Sequence, residues 1–177
     1  HAQNNNLQGR KKANKSEFIN RVSLEAGYGY NQAFSPDSVD RTDVSGFNTF
    51  QVAANYKLDD LWGVRGSYAN SNFKHKDFSD VGINYNKLMA EATFDVLEAI
   101  NKTGMPDNQL FELKAHAGLG LTFAKSKTND SKDTMGNFQI GIKPQYNVSQ
   151  RVGIFLDGSY VLNFSQNLGY NGIPIPE

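Results

Sequence analysis

The sequence predicts an all-β fold: an up-and-down antiparallel transmembrane β-barrel of the eight-stranded type, with seven strands recognisable in this chain. Three observations predict it. Stretches of roughly ten residues alternate apolar and polar side chains, which is the strand period. The two faces so generated are chemically lopsided, one nearly free of charge and the other carrying charges, Gly and Ser. The connections alternate in length, so that the long polar ones gather at one rim, as in outer-membrane barrels.

The first strand is predicted from about Phe18 to Tyr30, with Val22, Leu24, Ala26, Tyr28 and Tyr30 on one face and Arg21, Ser23, Glu25, Gly27 and Gly29 on the other. The second runs from about Phe47 to Leu58 and sets Phe50, Val52, Ala54 and Tyr56 against Gln51, Asn55 and Lys57. The third, Trp62 to Asn70, sets Val64 and Tyr68 against Arg65 and Ser67; the fourth, Tyr85 to Val96, sets Leu88, Ala90 and Phe94 against Lys87, Glu91 and Asp95. The fifth, Gln109 to Ala124, alternates most cleanly, with Leu113, Leu119 and Leu121 opposing Glu112, Lys114, His116, Gly118 and Gly120. The sixth, Asn137 to Val148, and the seventh, Arg151 to Phe164, continue the pattern, with Ile140, Ile142, Ile154 and Leu162 against Gln139, Lys143, Asp157 and Ser159. Helical spacing appears only briefly, around Phe94 to Ile100. Pro144 lacks a ladder donor, so a bulge or local bend is expected in the sixth strand.

The connections at Asp59–Asp60 and Ser149–Gln150 are tight turns, and Leu97 to Asn108 is longer. Those at Ser35 to Gly46, Ser71 to Ile83, Lys125 to Gly136 and after Ser165 are long and polar. Residues 1–16, with Arg10, Lys11, Lys12 and Lys15, read as a flexible periplasmic tail, and 17–177 as the barrel domain. Seven strands leave a barrel one short of an even count, and Pro174 and Pro176 disfavour a strand in the last segment. The eighth is therefore expected beyond residue 177, or a second chain seals the gap.

Composition narrows the function. The absence of cysteine excludes thiol catalysis, disulfide scaffolds and cysteine metal sites. A formal net charge of zero gives no reason to expect nucleic acid. Apolar residues are 38% of the chain and no long apolar run exists, so a membrane helix is excluded while a barrel is not. A Lys or Arg facing lipid at the midplane costs about 2–4 kcal/mol. Several turned outward would cost on the order of 10 kcal/mol, the size of a whole domain's stability. The charged face is therefore predicted to line the lumen, where Glu25, Arg65, Glu91, Lys114, Lys143 and Asp157 pair and close it. The inward glycines leave room for these long side chains. Aromatic residues fall into two girdles. Tyr28, Tyr30, Phe123 and Phe164 mark the long-loop rim, and Tyr56, Trp62, Phe94 and Tyr146 the short-turn rim.

The segments AGYGYNQAF in the first strand, HAGLGLTFAKSK in the fifth, MGNFQIGIKPQYNVSQRVGIFLDGSYVLNF across the last two and GYNG beyond them resemble the barrel domain of OmpA-like outer-membrane proteins. The resemblance covers Phe18 to about Gly172. It implies an outer-membrane anchor with a periplasmic N-terminus, extracellular long loops and a C-terminal peptidoglycan-binding domain outside these residues. The missing eighth strand is the departure from the family pattern.

No constellation for catalysis stands out. Histidines are His1, His75 and His116, with His116 a structural lumen residue and His75 in a solvated loop, so no zinc site is expected. GYGY and GLGL have glycines at strand spacing without the helix and Lys of a phosphate loop. The loop acids Asp37, Asp40, Asp43, Asp77, Asp80, Asp130 and Asp133 lack calcium-loop spacing, and Ser71, His75 and Asp77 make a thin hydrolase signal. The expectation is thus a non-enzymatic barrel without cofactor or metal. Its partners are outer-membrane lipid, peptidoglycan through the further domain and other outer-membrane proteins. The rivals are an accessory subunit of a larger outer-membrane complex and a soluble lipocalin-like binder, which would hide its apolar face inside.

Overall fold

The computed structural model describes residues 19–32, 45–74, 82–101, 110–127, 131–149, 152–164 and 167. The N-terminal tail, the loop acids other than Asp133, His75 and the last prolines lie outside them. The strands are β1 (Val22–Gln32), β2 (Ser45–Lys57), β3 (Trp62–Lys74), β4 (Gly82–Asp95), β5 (Phe111–Ser126), β6 (Lys132–Asn147), β7 (Gly153–Phe155) and β8 (Gly158–Phe164). Each of β1 to β6 pairs antiparallel with its successor, and β7 and β8 both pair with β6. The architecture is therefore all-β and up-and-down, as the alternation predicts.

β7 and β8 are two halves of the single seventh strand expected from sequence. Gln145 faces Phe155 before the break and Ile142 faces Gly158 after it, so the register does not shift. The cause is Pro144. Its carbonyl accepts a bond from Leu156 N at 3.1 Å, but it has no N–H to return. The ladder loses one rung, and the bulge expected at Pro144 is absent. A register shift lies instead in β1, between Gly29 and Tyr30.

The strand ends depart from the sequence reading at the long-loop rim. β3 continues to Lys74, β4 begins at Gly82, β5 continues to Ser126 and β6 begins at Lys132. The stretches Ser71 to Lys74 and Lys132 to Gly136, expected in loops, are strand. Their interior is apolar: Phe73, Ile83, Tyr85, Ala124 and Met135 form one buried cluster, with Phe73 and Tyr85 edge to face at 5.4 Å. Polar alternation weakens there because Asn and Lys occupy the outward positions, which hides the strands from a pattern search.

The short-turn rim is held by side-chain oxygens that replace backbone acceptors. Asp59 Oδ1 accepts from Leu61 N and Trp62 N, both at 2.8 Å, and Ser149 Oγ accepts from Val152 N at 3.1 Å. Asp95 Oδ1 accepts from Glu98 N at 3.0 Å and caps the short helix α1 (Val96–Asn101), which coincides with the brief helical spacing of the sequence.

Side-chain polarity is inverted relative to a water-soluble barrel. Arg65, Glu91, His116, Gln139 and Lys143 are buried, while Leu24 is 81% exposed, Leu119 65% and Leu156 76%. The girdle residues Tyr28, Tyr30, Phe123 and Phe164 at one end, and Trp62 and Tyr146 at the other, lie exposed on the outer surface; Tyr56 and Phe94 are half-buried. Trp62 packs on Phe94 with ring centroids 4.8 Å apart. No helix among the described residues is long and apolar enough to cross a membrane, which leaves strand crossing open.

Candidate functional site: the charged lumen

The sheet curls until its inward side chains meet. Arg65 on β3 stands at the centre, its side chain 1% exposed. Its Nη1 lies 3.0 Å from Glu91 Oε2 on β4, Nη2 lies 3.1 Å from Asp157 Oδ2, between β7 and β8, and Nε lies 3.3 Å from Glu25 Oε2 on β1. Lys143 on β6 bonds Glu25 Oε1 from the opposite side and sits 5.2 Å from the centre of the Phe155 ring. One guanidinium thus ties together three carboxylates from three separate parts of the wall, which its planar fork suits better than an ammonium would.

His116 on β5 completes the cluster. Nδ1 is 2.7 Å from Glu91 Oε1 and Nε2 is 3.2 Å from Asp157 Oδ1. Gln139 Nε2 donates to Glu91 Oε1 at 3.2 Å, Lys87 Nζ donates to Gln139 Oε1 at 2.6 Å, and Ser67 and Ser159 donate to Glu91 and Asp157 at 3.3 and 2.5 Å. Three carboxylates, Glu25, Glu91 and Asp157, are set against the cations Arg65, Lys87 and Lys143. Such balance is what allows charges to be buried at all.

Glycines make these reaches possible. Gly118 lies between Glu91 and Gln139 in the β4–β5–β6 register, so Gln139 crosses the vacant position to Glu91. A Cβ at Gly118 would come within 2.1 Å of Ala90 O and 2.6 Å of Glu91 Cα. Gly141 lies opposite His116, and a Cβ there would sit 2.5 Å from His116 Nε2. Gly29 is different, since a Cβ there meets nothing within 4 Å.

Of the six charged residues expected in one network, the structure brings together Glu25, Arg65, Glu91, Lys143 and Asp157. Lys114 stands apart, a correction with a simple cause. It lies directly opposite Lys143 in the β5–β6 ladder, and like charges in that position repel. Lys143 turns across the lumen to Glu25, and Lys114 turns toward the short-turn mouth, where its Nζ is 2.5 Å from Glu112 Oε2. Sequence reasoning left His116, Lys87, Gln139, Ser67 and Ser159 out of the network. Their inward parity was legible, but their meeting was not.

Beside this pair a polar cavity of about 350 Å³ opens among Arg21, Asn55, Lys57, Asp60, Asp95 and Glu98. It forms a vestibule at the short-turn end. At the other end the Phe73–Tyr85–Met135 cluster fills the interior. The charged layer lies between them.

The Ser159, His116 and Glu91 groups are close, but not arranged for nucleophilic catalysis. The Ser159 hydroxyl donates to Asp157 and is 3.5 Å from His116 Nε2, which already faces that carboxylate. Among the described residues no group of three or more His, Cys, Asp or Glu is disposed to hold a metal. Asp133, read as a loop acid, is buried and accepts a bond from Asn167 N at 2.7 Å, drawing the chain after β8 back to the start of β6.

No family model matches the chain, and no curated protein matches it. Two solved structures of Ail, the attachment invasion locus protein of Yersinia pestis, are similar. One has 19% identity and a TM-score of 0.46 over 79% of this chain and 84% of that one. The other, a complex with the heparin analogue sucrose octasulfate, has 18% identity and a TM-score of 0.43 over the same shares.

Proposed function

We propose that the chain is the membrane-embedded barrel of a bacterial outer-membrane protein, a structural anchor whose lumen is shut by its own ion pairs. The observation that carries this is the inverted polarity. Arg65 and Lys143 are each 2% exposed, while Leu24, Leu119 and Leu156 stand on the surface. In water such an exterior would aggregate; in lipid it is the required one. The same polarity weighs against a lipocalin-like binder, whose apolar side chains would fill the interior. In this reading the short turns and the N-terminus face the periplasm and the long loops face outward. The OmpA-like resemblance adds a peptidoglycan-binding domain as the load that the anchor holds. The role requires no catalysis, cofactor or metal.

The test is reconstitution. The protein is expected to fold into phospholipid vesicles, to resist protease there, and to show no large stable conductance in a planar bilayer. A wide, steady pore would overturn the closed-lumen reading. A monodisperse preparation in plain buffer would overturn the membrane reading.

A second reading, an accessory subunit of a larger outer-membrane complex, is favoured by one observation. Among the described residues the sheet ends on β1 at one edge and on β7 and β8 at the other. An unpaired edge in hydrocarbon leaves backbone groups unsatisfied. Crosslinking from Ala26 and Tyr160 separates the cases: capture of a second protein supports the subunit, and capture within one polypeptide supports the anchor.

A further inference from the structure

The charged layer sets three carboxylates against three cations, but the vestibule beside it is uneven. Five carboxylates line that cavity against three cations. Three of the acids have partners: Glu112 Oε2 lies 2.5 Å from Lys114 Nζ, and Asp59 and Asp95 each accept backbone N–H groups. The side chains of Asp60 and Glu98 have no ion pair and no hydrogen bond among the described residues. The floor of the cavity lacks an acceptor instead. Asn55 faces Arg65 across the β2–β3 ladder, and its Nδ2 is buried with no hydrogen-bond partner among the described residues. A buried donor left in that state is costly.

The two features together select an occupant that brings cations for Asp60 and Glu98 and an acceptor for Asn55. A metal ion or a polyamine brings only the first. A basic stretch of polypeptide brings both, in its ammonium groups and its backbone carbonyls. Such a stretch is joined to the cavity itself. Asn20 and Arg21 line the vestibule, and residues 1–16 hold Arg10, Lys11, Lys12 and Lys15 with no Asp or Glu. The whole chain has 18 bases and 18 acids, so residues 17–177 have 18 − 4 = 14 bases against the same 18 acids. The four positive charges of the tail therefore match the net −4 of the remainder. Five residues separate Lys15 from Asn20, a span of at most about 17 Å, which keeps Lys15 and Lys12 within reach of the mouth. A cavity of about 350 Å³ lies at the small end of ligand sites, with room for a few side chains and none for a folded partner.

We propose that residues 10–16 fold back into the vestibule of their own barrel. Lys12 and Lys15 meet Asp60 and Glu98, and a backbone carbonyl of the segment accepts from Asn55 Nδ2. The tail is then a plug for the short-turn mouth. This goes beyond the anchor reading and does not depend on it, because tail and vestibule share one end of the barrel in micelle and membrane alike. Exposed ion pairs are individually weak. A tether of a few residues offsets that weakness by holding the tail at an effective concentration in the millimolar range. The contact is electrostatic, so salt releases it.

The experiment uses the full chain refolded in detergent micelles and treated with a carbodiimide, which joins a lysine amine directly to a carboxylate with loss of water. Peptide mass spectrometry is expected to find Lys12 or Lys15 joined to Asp60 or Glu98, at a yield that falls several-fold in about 0.5 M salt. A mixture of isotopically heavy and light protein separates links within one chain from links between two. Trypsin gives an independent reading. It should cut the parent after Lys12 and Lys15 about fivefold more slowly than the D60N/E98Q variant, since each exposed ion pair contributes a factor of about two to five. Circular dichroism reports that both proteins are folded. Equal cleavage rates, or lysine links scattered over other carboxylates, would overturn the proposal. Links that join heavy to light chains would also overturn it, and would assign the vestibule to a second copy.

Discussion

Replacing Arg65 with methionine should be the most damaging single change in the lumen. Arg65 contacts Glu91 at 3.0 Å, Asp157 at 3.1 Å and Glu25 at 3.3 Å, with its side chain 1% exposed. Methionine fills much of the volume but leaves three carboxylates facing Lys87, Lys143 and His116. Removing one member of a buried charge pair costs about 3–5 kcal/mol, because the charge left behind stays desolvated. At about 1.4 kcal/mol per tenfold, a loss near 4 kcal/mol lowers the folding equilibrium constant roughly a thousandfold. Adding Glu91→Gln to Arg65→Met removes one stranded charge, and should recover about 1–3 kcal/mol relative to the sum of the single changes. The assay is denaturant unfolding in lipid vesicles, followed by the fluorescence of Trp62, which is the only tryptophan and packs on Phe94 in the wall. A loss below about 0.5 kcal/mol for Arg65→Met would refute the reasoning. So would strict additivity of the two changes, since groups sharing one network must couple.

Other expectations follow from single contacts. Gly118→Ala should destabilise by about 1–3 kcal/mol through overpacking, since its Cβ would meet Ala90 O, whereas Gly29→Ala, with nothing within 4 Å, should be nearly neutral in the same unfolding assay. Pro144→Val should restore one ladder donor and stabilise by about 0.5–1.5 kcal/mol, with a protected amide at the substituted position and slower exchange at Leu156. Leu119→Lys, on the exposed apolar surface, should cost about 2–4 kcal/mol if that surface meets lipid, measured by urea titration in vesicles. A lysine at that site with no such cost would mean that the surface faces water. Arg65→Ala with Glu91→Ala, which empties the centre of the charged layer, should raise single-channel conductance above the parent's.

Much of the wall is legible because strand parity is local. Whether a residue points in or out follows from its place in an alternation, and the cost of a charge in lipid fixes which face is which. That is why the inward set containing Glu25, Arg65, Glu91, Lys143 and Asp157, and the outward aromatics, can be read from the chain. Parity carries no information about which inward residues meet. His116 reaches Asp157 because Gly141 vacates the position between them, and Gln139 reaches Glu91 across Gly118. Both depend on the register of strands far apart in sequence.

The sequence alone determined the alternation, the polarity of the two faces and the placing of two tight turns, because these depend on neighbours along the chain. Only the tertiary structure decided that Lys114 leaves the central network, that Pro144 removes one rung without shifting register, and that β3 to β6 run on past the predicted strand ends. Each of these turns on what stands across a ladder or across the lumen. Lys143 opposite Lys114 creates the repulsion that parts them, and Phe73 finds its apolar neighbours Ile83, Tyr85 and Met135 only when the sheet is rolled.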